Sequence, residues 1–133
     1  MLFVGGTLVD WRICRAASPA LSACENEWYA MCMAATMMMA MAPIFDFIDG
    51  LDVVYPIMLF VDSSSAIQLS QMDLTTRNMK HAAIRLDYLQ HIVGDLKRLL
   101  PVKVDGTSNL ADLGTKVLAP NIFHRMRMPI IHG

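Results

Sequence analysis

Residues 53–66 read VVYPIMLFVDSSSA, and this stretch decides the fold. From Val53 to Val61 it is β-branched and aromatic, too short for a core helix, and apolar at consecutive rather than alternate positions. Such a run reads as a strand buried on both faces and paired in parallel. Pro56 places the start of the strand just after it. The run ends directly on Asp62, and Ser63, Ser64 and Ser65 then offer N-caps for a short helix over Ala66 to Gln71. A buried strand that delivers a carboxylate at its carboxyl end, followed at once by a helix start, is the wiring of an α/β sheet. Ligands of such sheets gather at that end.

Upstream, Leu2 to Val4 and Thr7 to Trp11 flank Gly5-Gly6, a hairpin signal. Ser22 and Glu25 have capping-box spacing, which starts a helix expected to run to about Met41. Pro43 should end or kink it, with a second helical piece over Ile44 to Ile48 and a stop at Gly50. Downstream, Thr75 or Thr76 can cap a helix whose apolar stripe is Met79, Ala83, Leu86, Leu89, Val93, Leu96 and Leu100. Leu99 to Val104, interrupted by Pro101, reads as an edge strand, and Asp105-Gly106 as a turn. Ser108 or Asn109 then caps a helix to about Val117, and Pro120 opens a last turn or two. The order β-β-α-β-α-α-β-α predicts an α/β domain with a mixed sheet, in one unit over residues 1–133.

The bulk numbers narrow the function classes. A chain of 133 residues can bury a core without disulfides. With 55% hydrophobic and 17% charged residues it is neither a disordered tail nor a coiled coil. A net charge of -1 lacks the basic excess of a dedicated nucleic-acid binder. Cys14, Cys24 and Cys32 are odd in number and contain no C-x-x-C pair, so neither a disulfide framework nor a zinc site is expected and a reducing, intracellular compartment fits. The amino terminus has neither the basic region nor the long apolar core of a secretory signal. Trp28 to Phe45 is uncharged over 18 positions, at the lower limit for a membrane span. It is mostly Met and Ala, is flanked by Glu25, Glu27, Asp46 and Asp49, and contains Pro43, so a buried central helix and no membrane contact is the expectation.

Three carboxylates hold special places: Glu27 in the first turn of the long helix, Asp62 at the strand end, and Asp112 in the first turn of the last main helix. Acidic residues in a first helical turn are favoured by the helix dipole alone, so Glu27 and Asp112 need no function to explain them. Asp62, at the end of an apolar strand, is the more telling of the three. Carboxylates that converge repel one another unless a cation joins them, and hard divalent metals take oxygen ligands. From the residues alone the reading stops at an α/β domain with a candidate metal site.

A resemblance carries it further. Leu21-Ser22-Ala23-Cys24-Glu25-Asn26-Glu27, followed by aromatics and Ala30-Met31, resembles the L-S-S/T-A/C-E-A-E-Y-x-A motif of copia-type LTR retrotransposon ribonucleases H. Gly5-Gly6 to Trp11-Arg12 is similar to that family's G-G-x-x-V-S-W-R hairpin, and Leu59 to Ile67 to its L-x-x-D-N-x-S-A-I. Lys80-His81 with Ile84-Arg85 resembles T-K-H-I-D-I-R, and Leu110 to Lys116 resembles L-A-D-x-x-T-K. The five motifs come in the family's order, within residues 5–118.

The resemblance implies a ribonuclease H-like mixed sheet flanked by helices, from a polyprotein that also carries a reverse transcriptase region. It implies hydrolysis of the RNA strand of an RNA–DNA hybrid, with two Mg²⁺ or Mn²⁺ ions favouring in-line attack of water on phosphorus. By motif, Glu27, Asp62 and Asp112 are the catalytic and metal-binding carboxylates, and Glu25 is the capping residue. Arg12, Arg15, Arg77, Lys80 and Arg85 are candidate phosphate contacts, although each suits a solvated surface equally well. His81 is given a packing or capping role, and no His precedes Asp112 as a proton shuttle.

The departures are equally specific. The family's first strand, central in its sheet and bearing the first aspartate, lies upstream of the hairpin, so it is expected to be missing here. Asp10 does not replace that aspartate, because it sits at an edge-strand position where the family has Ser. Ser63 stands where the family has Asn, and Met and Ala replace charged residues after Glu27. The expectations are therefore a ribonuclease H-like domain with impaired or lost activity, a non-catalytic remnant, or a small single-pass membrane protein using residues 28–45.

Overall fold

A tight turn opens the chain. In the computed structural model, which describes residues 1–13, 23–48, 50–72 and 83–131, β1 (Leu2–Val4) pairs antiparallel with β2 (Thr7–Asp10). Gly5 and Gly6 join them at φ 57° and 86°. Two successive left-handed residues are what a tight hairpin turn demands, and glycine adopts them without a Cβ penalty.

The helix α1 (Ala23–Phe47) begins where the capping-box spacing predicts, although Ser22 itself lies outside the described residues. It does not stop at Met41. The helix runs on through Pro43 and is followed by turns in which Ile48 N–H donates to Phe45 O and Leu51 N–H to Ile48 O. Proline removes one intrahelical bond, and the ladder resumes beyond it over Ile44 to Phe47, of which Ile44 and Phe47 are exposed. Ala42, immediately before the proline, is buried. The composition of α1 carries little polar striping, yet burial does: Glu25, Trp28, Met31, Cys32, Ala35, Met38 and Ala42 recur at helical spacing and are buried. This helix packs on α2 (Ser64–Gln71), α3 (Ala83–Gln90) and β3 (Ile57–Val61). Over Glu25–Phe47 it is also long and apolar enough to cross a membrane by length and composition, with 33% of its apolar window buried.

The stretch 53–66 folds as its pattern requires in two respects. The strand β3 starts after Pro56 and pairs in parallel with β4 (Leu99–Lys103), in a register that sets Ile57 opposite Leu99 and Val61 opposite Lys103. Ser63 caps α2, its hydroxyl accepting from Ala66 N–H at 3.3 Å. The expected burial on both faces is not found. Leu59 and Val61 are buried, whereas Met58 and Phe60 are 56% and 58% exposed, and Leu100, opposite Met58, is 46% exposed. Successive strand residues face opposite ways, so a helix layer on one side covers only half of them.

Beyond α2 the stripe of α3 holds at Leu86 and Leu89 and then departs from expectation. A single π-helical turn, His91–Asp95, closes with Leu96 N–H donating to His91 O, and Lys97 at φ 50° ends it. Ile92 is buried, Leu96 is not, and Leu99 and Leu100 belong to β4, where one faces inward and the next outward. Thr75, Thr76 and Met79 lie outside the described residues.

The last main helix was expected to reach Val117. In its place stand two short 3-10 segments, Gly106–Ser108 capped by Asp105 and Leu110–Gly114 capped by Asn109. Gly114 in the middle of the expected helix weakens it, and Thr115 N–H turns back to Asp112 O. The closing helix is instead the longer one: α4 (Pro120–Ile131) opens on proline, which suits a first helical position, and buries Met126.

The result is a mixed α/β fold with two two-stranded sheets, β1–β2 and β3–β4, among the described residues. The chain divides into two compact units. One comprises Met1–Pro19 with Val104–Gly133, the other Ala20–Lys103. In the first, the hairpin forms its own sheet and α4 packs on the Leu110–Gly114 segment. In the second, α1, α2, α3 and the parallel pair share a core in which Trp28, Leu86, Leu89 and Leu99 are fully enclosed.

Candidate functional site

Asp62 is placed by the strand that delivers it. It follows Val61 at the carboxyl end of β3, is half-buried, and immediately precedes the Ser63 cap of α2. Its backbone carbonyl accepts from Lys103 Nζ, the residue that the parallel register sets beside the strand end.

Glu27 occupies the exposed side of the first turns of α1, while Glu25 is buried near the start of the helix, and both engage other groups. Helical geometry separates the two by about 200°, so one turns into the core and the other outward. The expected capping partner of Glu25, Ser22, lies outside the described residues. Both glutamates belong to the unit that holds Asp62.

Asp112 belongs to the other unit and is buried at 6% exposure in the Leu110–Gly114 segment. Its carboxylate forms an ion pair with Lys116 Nζ at 2.8 Å, and its backbone carbonyl accepts from Lys116 N–H at 2.9 Å. The same pair of residues is thus tied through both main chain and side chain. Lys116 lies within the Leu110 to Lys116 motif, and its i, i+4 spacing from Asp112 was the signal for this contact. Within either unit, the described residues hold no group of three His, Cys, Asp or Glu that could bind a metal.

Of the candidate phosphate contacts, Arg15 and Lys80 lie outside the described residues, together with Arg77 and His81. Arg12 is exposed. Arg85 is exposed on α3, and its guanidinium lies 5.2 Å from the Tyr29 ring centroid of α1, a cation–π contact. Arg85 also borders an open groove of about 480 Å³, together with Cys32, Met33, Thr36, Ile84 and Tyr88. The Cys32 thiol donates to Arg85 O at 3.5 Å, and burial pushes its pKa up to about 12 against the opposing pull of the Arg85 charge. A buried thiol held neutral in this way carries little thiolate, the form that reacts. His91 bonds Asp95 at 2.8 Å on the surface, and His124 is exposed.

No protein-family model matches this chain, and neither does a curated protein or a solved structure. The functional reading rests on the motifs and on where the fold sets them. The hairpin motif, Gly5 to Arg12, coincides with the glycine turn, β2 and the two residues after it, the Glu27 motif with the start of α1, and the Asp62 motif with the junction of β3 and α2. The last motif coincides with the Leu110–Gly114 segment and the two residues after it.

Proposed function

We propose that this chain is a ribonuclease H-like domain of a copia-type retrotransposon polyprotein, with impaired activity on RNA–DNA hybrids. The observation that supports it most is the division of the strands. In the family the first strand is central and divides the remaining strands into two groups. An antiparallel hairpin and a separate parallel pair are the two pieces found among the described residues. On this reading Glu27, Asp62 and Asp112 are the metal ligands, and the reverse transcriptase region of the same polyprotein is the covalent neighbour.

The donor chemistry suits Mg²⁺ or Mn²⁺, since all three groups are carboxylates and hard cations take oxygen. When bound, the two ions would supply charge stabilisation for in-line phosphodiester hydrolysis. The chain's own contribution is to hold Asp62 at a strand end and Asp112 in a buried turn, with exposed Arg12 and Arg85 available to phosphates.

A second reading, a non-catalytic remnant, is favoured by one contact. Lys116 already neutralises the Asp112 carboxylate at 2.8 Å, so a metal ligand there would have to give up an ion pair.

The test is cleavage of a labelled RNA–DNA hybrid by the purified chain with Mg²⁺ or Mn²⁺, beside Asp62→Asn. Slow, metal-dependent cleavage of the RNA strand that Asp62→Asn abolishes is the expected result. Equal cleavage by both proteins overturns the assignment of Asp62. A folded chain that binds the hybrid without cutting it establishes the remnant reading, and one that neither binds nor cuts overturns both.

A further inference from the structure

We draw no further inference here: the strongest candidate, the exposed apolar surface at the carboxyl end of α1 made by Ile44 and Phe47 with Ile48 and Val54 after the helix, carries nothing because no feature of the structure shows what covers it.

Discussion

Leu89→Ala tests the packing of α3 most directly. Leu89 is 0% exposed, Leu96 is 48% exposed just past the π turn, and Ile84 is 85% exposed on α3 itself. Truncating a fully enclosed leucine removes its burial and leaves a cavity, which costs about 2–5 kcal/mol. The same truncation at Ile84 removes a side chain already in water and should stay within about 0.5 kcal/mol. Leu96→Ala should fall between the two, near 1 kcal/mol by the area it still buries. Urea unfolding followed by circular dichroism measures all three. With a slope of about 2 kcal/mol per molar for a domain of this size, Leu89→Ala should lower the midpoint by roughly 1–2.5 M, whereas Ile84→Ala should barely move it. The apolar stripe in the sequence treats Leu89 and Leu96 alike. Equal losses at those two positions would refute the placement of the π turn and the end of the helix. Equal losses at Leu89 and Ile84 would refute the orientation of α3.

Ser63→Ala should cost about 1 kcal/mol by leaving Ala66 N–H without its cap, read as a fall in Tm, while Ser63→Asn should be close to neutral because Asn caps equally well. Cys32 titrates far above its ordinary value, so it contributes stability that is complete below pH 9 and is lost as pH rises toward 12; Cys32→Ala should flatten that alkaline decline in urea titrations, and an unchanged slope would contradict the burial of the thiol. Native Cys32 should also resist alkylation at pH 8 and react once urea unfolds the chain, as peptide mass spectrometry of the labelled site would show. Lys116→Met strands the buried Asp112 carboxylate and should destabilise by about 1–3 kcal/mol, whereas Asp112→Asn leaves a half-exposed lysine that water can solvate and should cost less; the reverse order in thermal melts would contradict the burial of Asp112.

The sequence by itself determined whatever depends on near neighbours. The glycine pair produced a hairpin because a two-residue turn needs left-handed backbone there. Pro56 and Asp62 bounded β3, and the serines after it capped α2. The order of elements through β4 followed from runs of apolar residues, and β3 pairs in parallel as expected although the two-sided burial that suggested it is not found. The tertiary structure decided what depends on distant partners. Pro43 stayed inside α1, which gives up one bond there and continues to Phe47 although Ile44 and Phe47 are exposed. Met58 and Phe60 stayed exposed, because a strand's two faces are alike in composition until a layer covers one of them. The stripe ended at Ile92 once the π turn and Lys97 led the chain into β4. The carboxylates show the same division. Motif spacing singled out Glu27, Asp62 and Asp112, but folding buried Asp112 against Lys116 and left Glu27 on an exposed face. Burial is a property of what surrounds a residue in space, and no local pattern of residues encodes it.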